Sequence, residues 1–246
     1  MKISGISIVV ILLVVIAIAV SGCSSTSPTV VTTPETTRDF VEHGGAGSAA
    51  VVIIMGVGEL TVQGGADTKN LMESTVITTN PEWRPVIVYS TDNAKGNLRI
   101  TPKENSDFRM FTGNQQNRWE ILLNNAIPLS LDVKTGVGDA KLNLGTLNLT
   151  ALQVKMGTGN QVIDFTGYSR TGPDSEILCG VGNITVRVPG SMNSRITIDK
   201  GLGDIRAEGF LIKDGVYRVS GSPSAVTTVT NIHVKQGVGS VTLVAI

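Results

Sequence analysis

The chain has 246 residues, enough for one sizeable core or two small ones. Lysine plus arginine and aspartate plus glutamate number 20 each, so the charge balance argues against nucleic acid as a partner. Two cysteines and two histidines leave little material for a metal site, a cofactor or a nucleophile, and we expect none of these. The 28 glycines, with abundant Val, Ile, Leu and Thr, are typical of short strands joined by tight turns.

Residues 1–22 predict export. An almost unbroken apolar run from Ile6 to Val20 has the length of a signal-peptide core and is short of the ~20 residues that span a bilayer as a helix. It ends in Val20-Ser-Gly-Cys23, which resembles a lipobox, although Leu is more usual than Val at its first position. We interpret residues 1–22 as a signal peptide and Cys23 as the lipid attachment site. The alternative is an uncleaved anchor helix from about Ile3 to Gly22, and both place the rest of the chain outside the cytoplasmic membrane.

Residues 23–48 predict a tether. Ser24 to Thr37 reads SSTSPTVVTTPETT, a composition that cannot build a core. The glycine-rich stretch from Gly44 to Gly47 closes this segment, and the first strand is expected to begin at Ala49.

Residues 49–127 predict an N-terminal β region that contains a small antiparallel meander. Trp83 and Trp119 are expected to pack the meander against the first coil of the next region. The long polar loop at 104–117 carries apolar tips, unlike a plain connector. We therefore predict that Phe108, Met110 and Phe111 form a binding loop. The predicted strands are Met72–Thr79, Arg84–Thr91, Gly96–Lys103 and Arg118–Leu123.

Residues 128–246 are dominated by a repeated Gly-X-Gly motif, of which an earlier copy stands apart in the N-terminal region. Four consecutive copies are separated by 21, 23 and 21 residues, and a gap of 36 residues suggests an excursion at Phe210 to Ser224. This period, with apolar residues at alternate positions, predicts an all-β solenoid whose coils stack at ~4.8 Å. The predicted turn glycines are Gly56 and Gly58, Gly136 and Gly138, Gly157 and Gly159, Gly180 and Gly182, Gly201 and Gly203, and Gly237 and Gly239.

The glycines are expected to form one corner of each coil, where they take positive φ and let neighbouring coils approach closely. The middle residue of each motif is expected to point inward. The residue after the motif is mostly acidic or Asn, and in consecutive coils we expect a ladder of side-chain hydrogen bonds. A calcium site is disfavoured because Asp139 and Asp204 lie three coils apart and each neighbouring pair holds at most one carboxylate.

Other motifs are weak. No Gly-X-Gly copy continues as G-x-G-x-x-G into a helix, so a phosphate loop is disfavoured. Lys134, Lys155 and Lys235 recur at one repeat position and are interpreted as a solvated face. Cys179 is expected to be a small buried apolar group. Asn148 and Asn183 match the glycosylation sequon, which the predicted compartment permits.

A wider set of motifs resembles the toast-rack family, which is similar to the C-terminal domains of LiaF-type envelope-stress proteins and to candidate adhesins. The resemblance covers residue 50 to the end. It implies the fold and an extracytoplasmic location, and it carries no catalytic residues. The matching segments are Gly56–Val62, Gly64–Ala66, Trp83–Pro85, Asn117–Trp119, Ile127–Leu131, Gly136–Asp139 and Val234–Leu243.

Together these features predict a non-enzymatic surface lipoprotein, a rigid solenoid that binds an envelope polymer or protein or mediates adhesion. One alternative is an envelope-stress or assembly factor that contacts a membrane partner. A second alternative is a β-helix enzyme that acts on polysaccharide, which would need clustered carboxylates on one face.

Overall fold

The computed structural model describes residues 33–104, 115–168, 172–220 and 229–246. The predicted signal peptide, Cys23 and the predicted binding residues Phe108, Met110 and Phe111 lie outside these ranges.

Residues Thr32–Ile246 form one compact unit. The described part is all-β apart from one 3-10 turn at Pro81–Trp83, and no helix in it could span a membrane. The strands are β1 (Glu35–Glu42), β2 (Ser48–Gly64), β3 (Asn70–Thr78), β4 (Pro85–Asp92), β5 (Lys95–Pro102), β6 (Asn117–Leu123), β7 (Leu129–Asn143), β8 (Leu149–Thr158), β9 (Gln161–Asp164), β10 (Asp174–Val181), β11 (Ile184–Val188), β12 (Ser194–Leu202), β13 (Ile205–Glu208), β14 (Phe210–Lys213), β15 (Val216–Val219), β16 (Thr230–Val238) and β17 (Val241–Ala245).

Each Gly-X-Gly copy is the corner of one coil. In β7, Leu131 and Val133 are buried before the corner at Gly136–Gly138, and Ala140 and Leu142 are buried after it. The residues between them face outward. The strand therefore turns at the corner, and the alternation of buried and exposed residues continues on either side of it. We number the coils in chain order: coil 1 is β2, coil 2 is β7, coil 3 is β8–β9, coil 4 is β10–β11, coil 5 is β12–β13 and coil 6 is β16–β17.

The seventeen strands form one continuous sheet, within which neighbouring coils pair in parallel. The sheet bends at the row of corners and does not close. The strand segments before the corners form a first sheet, and those after the corners form a second sheet. The buried residues of both sheets belong to one continuous core. Turns at the far ends of coils 2 and 3 add Leu144, Phe165 and Tyr168 to that core. The predicted all-β solenoid is confirmed.

The predicted stacking of the coils in chain order is wrong for the last two. Coil 6 lies between coils 4 and 5, because Val234 of β16 pairs in parallel register with both Ile177 of β10 and Ile198 of β12. The excursion between coils 5 and 6 contains an antiparallel hairpin of β14 and β15, which pairs with β12 at Ile196 and Thr197. The stack therefore runs 1-2-3-4-6-5.

The N-terminal region is also part of this stack. β2 pairs with β7 from Ala49 to Gln63, so the early Gly56 motif does not stand apart and no break separates residues 49–127 from residues 128–246. On the other side of β2, β5 and β6 run parallel to it and occupy the position of a further coil. The predicted antiparallel hairpin of β4 and β5 is present, with Asn93 and Ala94 at positive φ in its turn.

The assignment of the whole of residues 23–48 to a tether is wrong at its end. β1 spans Glu35–Glu42 and pairs antiparallel with β3 over its full length. The composition argument failed here because Thr, Val and Phe favour strands wherever a free sheet edge supplies hydrogen-bond partners. Most of β1 is exposed, so this pairing rests on backbone hydrogen bonds more than on core burial.

Candidate functional site

A groove of about 560 Å³ crosses the outward face of the first sheet. It is built from two rows of side chains that alternate with the core residues and stand in register from coil to coil. In stack order, the first row is Ala50, Ser130, Ala151, Asp174, Asn231 and Arg195. The second row is Val52, Asp132, Gln153, Glu176, His233 and Thr197.

Hydrogen bonds between coils hold the charged groups of this groove. Glu176 accepts hydrogen bonds from Lys235 Nζ at 3.1 Å and from Gln153 Nε2 at 2.8 Å. These two donors lower the pKa of Glu176 below its ordinary value of 4.5, so the groove contains an ionised carboxylate. Asp174 Oδ1 accepts from Asn231 Nδ2 at 3.0 Å. The groove floor is therefore a fixed polar network.

Asp132 is partnered on one oxygen only. Its Oδ2 accepts a hydrogen bond from Lys134 Nζ at 2.8 Å. Its Oδ1 is screened from solvent and has no hydrogen-bond partner among the described residues. The Asp132 side chain is 29% exposed, so Oδ2 is the oxygen that a bound molecule can reach.

Three carboxylates of the groove bear on the alternative of a polysaccharide-acting enzyme. Asp132, Asp174 and Glu176 do lie on one face, which is the arrangement that a polysaccharide-acting enzyme would need. A glycosidase also needs a carboxylic acid whose pKa is raised, whereas the pKa of Glu176 is lowered. No Trp, Tyr or Phe is among the described residues that line the groove. Both tryptophans are buried, as expected from their predicted packing role.

The corner glycines divide into two types. Gly159 has φ = +137°, and a Cβ at this position would overlap the carbonyl oxygen of Gly138 in the neighbouring coil. Gly157 does not adopt positive φ, but its Cβ would lie 2.6 Å from the carbonyl oxygen of Gly136. The second glycine of a motif therefore meets both predictions, positive φ and close approach of the neighbouring coil. The first glycine meets only the prediction of close approach.

The middle residue of the motif does not fill the core, contrary to expectation. Val137, Val181, Leu202 and Val238 are exposed at the apex of their corners. The residue before the first glycine points inward instead, as for Met55, Met156 and Cys179. The reason is that strand alternation continues up to the first glycine, which faces outward, and the positive φ of the second glycine then turns the chain into the second sheet. Burial raises the pKa of the Cys179 thiol, in agreement with a packing role for this residue.

The residues after the corners form the predicted hydrogen-bonded ladder. Asn160 Nδ2 donates to Asp139 Oδ1 at 3.1 Å, and Asn183 Nδ2 donates to Asn160 Oδ1 at 2.9 Å. The backbone N–H of Ser240 then donates to Asn183 Oδ1 at 3.1 Å, because coil 6 follows coil 4. Asp139 and Asp204 are thus four coils apart, or ~19 Å, and not three. No cluster of three or more His, Cys, Asp or Glu suited to a metal occurs in the described ranges.

The sequence analysis missed the groove, although a signal for it was present. When the copies are aligned on their first glycine, the positions four and six residues earlier contain most of its polar and charged side chains. These positions lie next to the row of lysines, which stands two residues before the glycine. Because these rows differ in residue type from copy to copy, they resemble surface variation until the register is known.

Comparison with known proteins agrees with this architecture. The family model of the N-terminal domain of toast_rack, DUF2154, matches residues 28–187. The crystal structure of a candidate cell adhesion protein from Clostridium sporogenes aligns with a TM-score of 0.80 at 30% identity, and covers 87% of this chain and 100% of its own. A candidate adhesin from Bacteroides fragilis aligns at 14% identity with a TM-score of 0.33, over 86% of this chain and 97% of its own. No curated protein matches significantly. The chain belongs to the toast-rack family.

Proposed function

We propose that this protein is a non-enzymatic binding or adhesion protein displayed outside the cytoplasmic membrane. The observation that carries the proposal is the likeness to the candidate cell adhesion protein of Clostridium sporogenes, which extends over all of that chain. In this proposal, lipid on Cys23 anchors the chain, the residues before β1 form a short tether, and the solenoid presents a rigid surface.

The groove on the first sheet is the proposed binding surface. It runs across the strands, so a linear polymer lying in it would meet a new pair of side chains at every coil, ~4.8 Å apart. Asp132 Oδ2 and the Glu176 carboxylate offer acceptor oxygens, and Arg195 offers guanidinium donors at the far end. These groups favour an envelope polymer rich in hydroxyl and amide groups, because such a polymer supplies both donors and acceptors.

Cosedimentation of residues 33–246 with purified insoluble peptidoglycan tests this proposal. We expect saturable binding that falls at least tenfold in the double variant Asp132→Ala/Glu176→Ala. The matched control is Glu208→Ala, which removes an exposed carboxylate of the second sheet and is expected to bind like the wild type. Absence of binding, or equal loss in the control, would contradict the assignment of the groove. Release of soluble fragments from the polymer would instead favour the enzyme alternative.

A further inference from the structure

The apices of the corners form a mainly apolar row, which we term the corner ridge. In stack order it consists of Val57, Val137, Thr158, Val181, Val238 and Leu202, each paired in register with the next. Val137, Val181, Val238 and Leu202 are 51%, 49%, 47% and 72% exposed. Five intervals of ~4.8 Å make the ridge about 24 Å long.

The apolar character of the ridge is not required by the turn. The glycines on either side satisfy the backbone geometry, so a polar residue would fit each apex equally well and would be better solvated. Five of the six apices are nevertheless Val or Leu. Contiguous exposed apolar surface of this kind marks an interaction site more often than single exposed residues do.

The two flanks of the ridge differ in charge. On the first-sheet side, the glycine row leaves a groove of about 590 Å³ that is lined by Lys155 and Lys235 together with Asp199. Lys200 also lines it, but its Nζ donates past the apex to the carbonyl oxygen of Gly203. On the second-sheet side lies the row of residues that follow the corners, which includes Glu59, Asp139 and Asp204 as its acidic members. Glu59 also pairs with Arg118. The ridge thus separates a mainly cationic flank from a mainly acidic one.

We propose that the corner ridge is a homotypic interface that binds the corner ridge of a second copy of this chain. A second copy presents apolar side chains at the same ~4.8 Å spacing, so the valines of each ridge can seat in the glycine groove of the other, as in a steric zipper. A two-fold axis parallel to the stack places each lysine flank opposite an acidic flank. A two-fold axis across the stack would place lysines opposite lysines and is excluded on charge.

A lipid surface fits the ridge less well. Insertion of the apices would bring Asp139 and Asp204 to the level of the head groups, where anionic lipids repel them.

The homotypic interface would bury an area on the order of 400 Å² per copy, about half of the area per partner that a standard stable complex buries. The interface is therefore weak in solution and becomes populated where copies are concentrated. The homotypic interface lies at the corners, whereas the proposed binding groove lies on the outward face of the first sheet. The inference of self-association therefore does not depend on the proposed function.

Sedimentation velocity of residues 33–246 over micromolar to millimolar concentrations tests the interface. We expect reversible dimerisation, which Val181→Asp/Val238→Asp abolishes. The matched control is Val88→Asp, at an equally exposed valine of β4 away from the ridge, which should still dimerise. Circular dichroism establishes that each variant is folded, and Val181→Thr/Val238→Thr, which keeps the β-branched shape, should weaken the dimer if the aspartates prevent folding. A monomer at all concentrations, or equal loss in Val88→Asp, would overturn the proposal.

Cysteine crosslinking tests the orientation. Residues 33–246 contain one native cysteine, the buried Cys179, so introduced cysteines react selectively. Under the proposed two-fold axis, Val137→Cys crosslinks with Val137→Cys and not with Val238→Cys, which the opposite axis would place beside it. Preferential crosslinking between positions 137 and 238 would overturn the arrangement. Ridge-dependent cosedimentation with anionic phosphatidylglycerol vesicles would overturn it in favour of a lipid surface. Ridge variants should retain any peptidoglycan binding, so the two proposals fail separately.

Discussion

Asp139 Oδ1 accepts two hydrogen bonds from Asn160 in the neighbouring coil, one from its backbone N–H at 3.0 Å and one from its side-chain Nδ2 at 3.1 Å. One carboxylate oxygen thus connects two coils that are joined by 21 residues of chain. Asn183 repeats the arrangement with Ser240, because its Oδ1 accepts the Ser240 N–H. A side-chain oxygen after the corner therefore links neighbouring coils even where those coils are not consecutive in the sequence.

This ladder predicts a graded response at Asp139. Asp139→Asn keeps an acceptor oxygen and should cost less than about 1 kcal/mol of unfolding free energy, whereas Asp139→Ala leaves two donors unpaired and should cost about 1–2 kcal/mol. Urea unfolding of residues 33–246 measures both. Equal values for the two variants would show that the ladder does not stabilise the stack.

Close approach at the corners predicts a large effect at Gly159. Gly159→Ala places a Cβ against the Gly138 carbonyl and a non-glycine residue at φ = +137°, so we expect a loss of about 3 kcal/mol or more. Gly44→Ala is the matched control, because Gly44 also has positive φ, +59°, but no atom lies within 4 Å of its Cβ position. The control should lose about 1 kcal/mol. Equal melting temperatures for the two variants would refute the packing argument.

The stacking order 1-2-3-4-6-5 can be tested by disulfides. Thr185 of β11 pairs in register with Thr242 of β17, so Thr185→Cys/Thr242→Cys should oxidise readily. Thr185→Cys/Arg206→Cys should not, because β17 lies between β11 and β13. Mass analysis of oxidised protein distinguishes the two. A disulfide between positions 185 and 206 would restore the chain-order stack.

Glu176 predicts a contribution to stability at acid pH. Its pKa is lowered in the folded protein, so its contribution is present above the ordinary value of 4.5 and is lost as the pH falls through the lowered value. Glu176→Gln should therefore flatten the decline of melting temperature on acidification from pH about 5 to 3. The control Glu208→Gln should follow the wild-type profile. Parallel profiles for wild type and Glu176→Gln would contradict the role of the Lys235 and Gln153 hydrogen bonds.

The predicted anchor has a direct test in intact-mass analysis of the membrane fraction. We expect a lipid-modified chain that begins at Cys23, and we expect Cys23→Ala to be released or to stall before maturation. Ser24→Ala, next to the same site, should be processed normally. A chain that begins at Met1 would favour the uncleaved helix over the lipoprotein.

Much of the architecture follows from the sequence because the repeat signals are local. Alternation predicted the strands around Gly136 and Gly157, and the residues after each corner predicted the ladder. The coil order could not be predicted, because Val234 fits equally well beside Ile177 and Ile198. The exposure of Val137 was missed because its apolar side chain implied burial, whereas the conformation of the two flanking glycines decides its direction. The groove depends on register between coils, which no single copy encodes.

The inserted position of coil 6 also determines when the fold can be completed. Val234 pairs with Ile177, 57 residues earlier, whereas the neighbouring β8–β10 pairs span 23 residues. Long loop closure of this kind is slow, so we expect the C-terminal coil to join last. Until it does, coils 4 and 5 each lack their shared neighbour. A truncation that removes β16 and β17 therefore removes two interfaces from the middle of the stack, whereas the loss of an end coil would remove only one.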